Sequence, residues 1–465
     1  MTTASIASAV HGEEQGFLGH PKGLAYLAFT EAWERLSFYG MSSLLLLYIL
    51  QRLLTPEIAG SVLAFGSLRA GIETLTGPLS NQAFASQVFS LYSGLVYFTP
   101  VFGGMLADRL LGQRRTVVLG ALLMVAGHVL MVFDASFLIA LSLLILGTGC
   151  LKGNISAQVG QLYAPGDEGR RTRAFAIFYA AINTGALLGP LVCGVLAQVY
   201  GWHVGFGAAG ALMLIALVVY GAGWKHLPPD RKRQSSTAAS TALAPRDWRI
   251  IAALLFVSMI GILPGAAYFQ EMNAGLLLIE ASVDRGLFGW TIPATSFNAL
   301  DGLFCIMAVP LLIALWQWQA KRNREPHDLT KITIGYLIIA AANLMMVVPA
   351  GWVDNGETVS ALWPVALYAL NALGFIFYWP TQLALYSRAA PAQVNSTMMG
   401  ILFLSIFLGN LLVGTLAGLW ETLSHASFFA LHAALAFAAF LIMLIVMRPI
   451  GKLLAQPQVS SRDQR

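Results

Sequence analysis

Charged residues make up only 11% of this 465-residue sequence, against roughly 25% in a water-soluble globular domain. So little charge cannot coat a soluble surface, and the 57% of hydrophobic residues come in long blocks. Cysteine is scarce. Cys150, Cys193 and Cys305 lie far apart in apolar stretches, without pairing or metal-ligand spacing, so they read as buried thiols and exclude a disulfide scaffold. HExxH, GxSxG and any clustering of the eight histidines are also missing, which leaves a membrane-embedded enzyme without a nucleophile–base pair or a metal site. The first twenty residues lack the apolar core of a cleavable signal peptide. Short alternating segments are absent as well, which argues against a β-barrel.

What the sequence does have is long apolar blocks, and these need lipid as solvent, because a spanning helix takes about 20 predominantly apolar residues. Twelve such segments can be marked: 24–52, 84–109, 115–133, 136–161, 171–196 and 203–224, then 248–279, 290–318, 330–351, 359–388, 394–421 and 425–449. The expected fold class is an all-α membrane protein with two six-helix bundles. The domains read as a tail over 1–20, a bundle over 21–224, a linker over 225–247, a bundle over 248–450 and a tail over 451–465. The linker holds LPPDRKRQSSTAASTALAP, a Pro-, Ser- and Arg-rich composition typical of flexible connections. The segment 54–82 is long for a hairpin and reads as an external excursion carrying a surface helix.

The net charge of +5 belongs to topology and not to nucleic acid. With the N-terminus inside, the cytoplasmic segments take Arg109, Arg114, Arg115, Arg170, Arg171, Arg173, Arg231, Lys232, Arg233, Lys321, Arg322, Arg324 and Arg388. The outer segments take only Arg52, Arg69 and Arg285. That bias places both termini in the cytoplasm. Two such bundles joined by an inner linker are the plan of many carriers, whose substrate site lies between the halves near the midplane.

Ionisable residues inside spans are functional candidates by default. The first span carries three, Glu31, Glu34 and Arg35, in TEAWERLSFYG, spaced to share one helical face. Such a cluster can couple proton uptake to binding of an anionic group, or it can stitch helices together as a static ion pair. Lys152 sits among small residues in GTGCLKGN, where it cannot easily snorkel. Glu271 in the seventh span and Asp301 in the eighth are further proton-site candidates. Asp108, Arg109, Arg114 and Arg115, in GGMLADRLLGQRRTV, form a charged loop suited to a gate latch. Tyr39, Tyr97, Tyr378 and Trp379 have polar neighbours and can line a pocket, while Trp316 and Trp318 read as interface anchors.

From about Gly19 to Ile450 the sequence resembles the proton-dependent oligopeptide transporters of the major facilitator superfamily. The specific element is ExxER (Glu31, Glu34, Arg35), followed by LSFYG where the family usually has FSYYG. GTGCLKGN and FAIFYAAINTGALLGP strengthen the likeness, whereas DRLLGQRR alone marks only the superfamily. The resemblance implies symport of small peptides with protons, an inner-membrane location in a bacterium, no cofactor beyond the proton gradient, and leaves the oligomeric state open, with a monomer sufficient. It implies proton coupling at Glu31 and Glu34, peptide-carboxylate binding at Arg35 and Lys152, pocket positions at Tyr39, Tyr97 and Asn183, and coupling to the cytoplasmic gate at Glu271. The second half departs from the family: the tenth-span Glu that holds the peptide amine is replaced by Phe375, an aromatic by Ala267, a Trp by Leu402 and an eighth-span Asn by Asp301. Two readings follow. Asp301 takes over the ammonium, or the carrier handles another solute that bears a carboxylate.

Overall fold

The computed structural model describes residues 15–164, 166–230, 243–391 and 393–454. The ends of both expected tails and most of the expected linker, with Arg231, Lys232 and Arg233, lie outside the described residues. Among the described residues, twelve long helices form the fold: α1 Lys22–Leu53, α2 Asn81–Leu111, α3 Gln113–Leu130, α4 Asp134–Gln161, α5 Glu168–Tyr200, α6 Trp202–Ala222, α7 Pro245–Ser282, α8 Ala294–Ala320, α9 Asp328–Asp354, α10 Leu362–Ala389, α11 Asn395–Ala417 and α12 His425–Leu454. Eleven of these are long and apolar enough to cross a membrane. The exception is α3, only 18 residues long and opening on Gln113, Arg114 and Arg115. Each expected segment has its helix, with ends displaced by a few residues. The start of α8 is displaced because Trp290–Thr291, where helix was expected, pairs with Gly286–Leu287 as an antiparallel hairpin.

The chain groups into two compact units that are not its two contiguous halves. The first contains 1–78, 98–234 and 295–306, and the second contains 79–97, 235–294 and 307–465. The start of α2 therefore packs with the second unit and the start of α8 with the first.

In the first unit, α1 lies against α5, α6 and α4. Lipid offers no hydrophobic drive for helix association, so small residues that allow close backbone approach do the work. A buried triad adds polar contacts: Ser37 on α1 donates to the Ala209 carbonyl of α6 at 2.7 Å and lies 2.9 Å from His128 Nε2 of α3. The Ser37 hydroxyl proton is committed to that carbonyl, so His128 must carry its hydrogen on Nε2. At the other end of α1, Asp134 accepts from Tyr48 at 2.6 Å, from Arg52 Nη2 at 2.8 Å and from His203 Nε2 at 2.9 Å. The expected surface helix is Phe65–Thr76, held by buried Val62 and Phe65 and by Phe65 packing edge-on to Phe137.

In the second unit, α7, α9, α10 and α12 enclose a core that includes Leu254, Ile332, Tyr336, Ile339, Tyr378 and Met443. Ala267 and Leu402 are both buried in this core. The α7 helix is interrupted at Gln270–Asn273, where a tight turn replaces the α-helical ladder. Asn273 is fixed there by Ser86 of α2, whose hydroxyl donates to its Oδ1 at 2.7 Å. Val283 and Asp284 pair in parallel with Val359 and Ser360, closing the loops beyond α7 and α9.

Ahead of α1 a short hairpin, Gln15–Phe17 with His20–Pro21, folds back on the chain. His20 is only 4% exposed, its Nδ1 lies 2.8 Å from the Tyr163 hydroxyl, and Arg170 donates to the Gly19 carbonyl. Burial first, then the positive charges of Arg170 and Arg173, push the His20 pKa below its ordinary 6.5. The fold therefore holds fewer protons at this site than the unfolded chain, and the stability His20 contributes is lost as pH falls from 6.5 toward the depressed value. Amide exchange across 15–21 should speed up on acidification through that window, and His20→Asn should flatten the response. An exchange rate that is independent of pH, after correction for intrinsic chemistry, would refute this.

Candidate functional site

Three charged side chains of α1 are shut away from water: Glu31 is 2% exposed, Glu34 0% and Arg35 2%. Burying charge is tolerable only when the charges are paired. Arg35 satisfies this with both acids. Its Nη2 donates to Glu34 Oε1 at 2.7 Å, its Nε to Glu34 Oε2, and the same Nε lies 3.2 Å from Glu31 Oε1. The guanidinium also lies 5.1 Å from the Phe38 ring centroid. Glu31 Oε2 remains buried without a hydrogen-bond partner among the described residues. Lys152 of α4 interacts electrostatically with Glu31, Glu34 and Arg35, and Tyr39 with Arg35. The sequence-predicted ExxER residues, Lys152 and Tyr39 thus form one cluster in the first unit.

Glycine positions this cluster. A Cβ on Gly185 of α5 would stand 2.5 Å from Arg35 Cβ and 2.7 Å from the Leu36 nitrogen. Only a residue without a side chain lets α5 press on the charged turn of α1. Two residues earlier, Asn183 donates to the Tyr179 carbonyl at 2.9 Å. The Tyr179 side chain is in electrostatic contact with Asp301 and Cys305 of α8. Asp301 therefore belongs to this unit and faces α5. Tyr179 was not anticipated from sequence; its signal is the four-residue spacing to Asn183, which puts both on one helical face.

The second unit holds the remaining candidates. Glu271, 2% exposed, sits in the interruption of α7, where its Oε2 accepts from Asn371 Nδ2 of α10 at 2.8 Å and its carbonyl from the Tyr368 hydroxyl at 3.2 Å. One turn further along α10, Phe375 stacks on Tyr268 at 4.7 Å and on Trp379 at 6.3 Å. Trp379 continues the aromatic wall to Phe403 at 5.9 Å. Tyr97 packs against Phe269 at 6.4 Å. A small cavity bounded by Gly261, Gly265, Gly409, Tyr378, Trp379 and Gln382 opens beside this wall.

Asp108, Arg109, Arg114 and Arg115 lie at the end of α2 and the start of α3. Arg114 binds the segment that follows α6: its amide donates to Asp230 at 2.8 Å, its Nε to the Pro228 carbonyl at 2.6 Å and its Nη2 to the Leu227 carbonyl. Arg109 and Arg115 make no ion pair among the described residues. Asp108 lies in the wide helical turn Ala107–Leu111 that ends α2.

The model of the POT family matches residues 114–245 and 231–433. The chain belongs to the POT family. It is similar to the di-/tripeptide transporter of Lactococcus lactis subsp. cremoris, at 28% identity over 95% of this chain and 98% of that one. It is also similar to the peptide transporter YePEPT of Yersinia enterocolitica, at 31% identity over 86% of this chain and 88% of that one. A crystal structure of a mutant peptide transporter POT in complex with alafosfalin superposes with a TM-score of 0.82 at 27% identity, covering 98% of this chain and all of that one. This POT-family chain is an integral membrane transporter with the major facilitator fold, not an enzyme.

The tight α1–α5 contact gives a direct test. Gly185→Ala should lower the melting temperature, through an overpacking penalty of about 1–3 kcal/mol, and displace Arg35 enough to weaken substrate binding. Gly153→Ala, next to Lys152 but with open space around it, should leave both unchanged. Equal behaviour of the two variants in a thermal melt and a binding titration would show that the contact is not critical.

Proposed function

We propose that this chain imports di- and tripeptides or peptide-like solutes together with protons, by alternating access of two six-helix bundles across an inner membrane. Twelve spans, a cytoplasmic linker over 225–247 and cytoplasmic termini are part of this reading, supported by the Lys and Arg bias between spans.

The observation that carries it is the charge balance of the buried cluster. Glu31, Glu34, Arg35 and Lys152 sum to zero when all are ionised. A substrate carboxylate entering the cluster adds one negative charge in a place that water does not screen, and one proton restores neutrality. Glu31 Oε2, buried and without a hydrogen-bond partner among the described residues, is the natural resting place for that proton. The substrate carboxylate takes the two-pronged face of Arg35 and the point charge of Lys152. Glu34, relieved of Arg35, is then the other carboxylate able to hold that proton. Proton and substrate thus favour each other's binding, as linkage demands of any symporter. Glu271 supplies a comparable switch in the second unit, because its carboxylate, which accepts from Asn371 at the interruption of α7, can hold a proton in place of that contact. Asp108 and Arg114 act on the cytoplasmic side, where Arg114 secures the end of α6.

The second reading, a non-peptide carboxylate as cargo, is favoured by one observation. Phe375 is locked into an aromatic stack with Tyr268 and Trp379 and offers an ammonium group no hydrogen-bond acceptor. Under the peptide reading Asp301 holds the amine. Under the other reading the amine is dispensable.

Both are settled with reconstituted protein. Labelled dialanine should accumulate in proteoliposomes only with an inward proton gradient, with higher apparent affinity at acid pH, and Glu34→Gln should abolish gradient-driven accumulation while leaving the fold intact. Competition by the N-acetylated dipeptide separates the two cargoes. Weak competition that strengthens in Asp301→Asn supports amine recognition, whereas competition equal to dialanine in the wild type supports the amine-free cargo. Gradient-independent uptake would remove the symport mechanism.

A further inference from the structure

The small cavity in the second unit is lined by both aromatic rings and hydrogen-bonding side chains. Three glycines on two helices make room for it, Gly261 and Gly265 of α7 and Gly409 of α11. A Cβ added at Gly265 would meet nothing closer than the Tyr378 hydroxyl at 3.9 Å, and one at Gly409 nothing closer than the Ile262 carbonyl oxygen at 3.9 Å. Close packing therefore does not demand glycine at either place, and the missing side chains leave space. Gly261 is different. A Cβ there would stand 2.9 Å from the Tyr336 hydroxyl oxygen and 3.7 Å from both Nε2 and Oε1 of Gln382. The two polar groups, from α9 and α10, thus face the same spot at the cavity edge. Tyr336 is 0% exposed, and its hydroxyl has no hydrogen-bond partner among the described residues. Gln382 is 2% exposed, and its carboxamide makes no hydrogen bond among the described residues. Packing would be served as well by phenylalanine and leucine at these positions. A buried polar group without a partner is costly, so two that converge beside a cavity point to something that enters it.

We infer that this cavity is a specificity subsite for an uncharged carboxamide carried by the cargo, such as the side chain of a glutamine residue. The inference rests on the import of peptides proposed above and adds a side-chain preference to it. No Asp, Glu, Lys, Arg or His is among the described residues that line the cavity, so a carboxylate or an ammonium would enter without a counter-charge. An apolar group would leave Tyr336 and Gln382 stranded. A hydroxyl has one proton to donate, whereas a primary carboxamide offers a donor and an acceptor side by side. It can exchange two hydrogen bonds with the Gln382 carboxamide and still present an oxygen lone pair to the Tyr336 hydroxyl. Ser405 donates its own proton to the Leu402 carbonyl at 2.7 Å, so toward the cavity it can only accept, which suits the second amide hydrogen. Phe269 and Trp379 supply apolar surface for the methylenes of the same side chain. The residues of this subsite all belong to the second unit, apart from the charged cluster of the first.

Equilibrium binding of alanylglutamine and alanylmethionine to the purified full chain provides the test, because the two side chains have similar length and differ in hydrogen bonding. Alanylglutamine should bind about tenfold more tightly, since the analogue leaves buried polar groups unmatched. Alanylglutamate, which brings a charge, should also bind more weakly than alanylglutamine. The preference should fall to near unity in Gln382→Met, and also in Gly409→Ala, which places a methyl in the cavity without a close contact. Gly400→Ala, on the same helix and with open space around it, should preserve it. Equal affinity of the wild type for the glutamine and methionine peptides, or a preference that survives Gln382→Met and Gly409→Ala, would overturn the assignment. Should Gln382→Met fail to fold, the wild type and Gly409→Ala decide alone. If neither peptide binds, the peptide reading falls and takes the subsite with it. If both bind equally, only the subsite falls, so the two failures are told apart.

Discussion

Two carboxylates and a guanidinium that share a site with almost no water must settle their charges among themselves. Most of the first unit is arranged around that requirement. Arg35 cannot leave both acids at once, and α1 cannot move away from α5 without exposing the cluster. The space vacated at Gly185 sets how closely the two helices meet. Lys152, half-buried on α4, brings the second positive charge. The fold thus gives the protein a small number of permitted charge states, and each state has its own set of contacts. Conformational change in such a unit is driven by which contacts a given proton or ligand makes possible.

Much of this was legible in the sequence, because lipid imposes harsh rules. A long apolar block has little choice but to be a helix, and an ionisable residue inside one needs a reason. Glu31, Glu34, Arg35 and Lys152 stood out on those grounds alone, and the structure gathers them into one cluster. Glu271 stood out too, and is buried on a hydrogen bond from Asn371.

The remainder depends on packing, which sequence spacing does not record. The interruption of α7 at Gln270–Asn273 follows Gly261, Pro264 and Gly265, which loosen a helix, but its position is held by Ser86 from a distant helix. The regrouping of 79–97 and 295–306 has no compositional mark, since the residues are as apolar as their neighbours. Tyr179 looks like any other aromatic until α8 is placed opposite α5. The same holds for Phe375, whose role as part of a wall depends on Tyr268 and Trp379 being brought alongside it. The partners of Arg114 are equally invisible to sequence spacing. Arg114 finds its acceptors on the segment after α6, 113 to 116 residues away, and not among its neighbours in the charged run.

That last contact has a practical side. Arg114 holds Leu227 and Pro228 by their carbonyls and Asp230 by its side chain, and its guanidinium rests 5.3 Å from the Trp224 ring. Carbonyls belong to any residue, so the strap tolerates sequence drift at 227 and 228 but not a change in chain length before Asp230. For anyone engineering this carrier, the segment between α6 and Asp230 is structural despite its loop-like composition. A reporter domain or epitope tag belongs after it, where an insertion leaves all of these contacts in register.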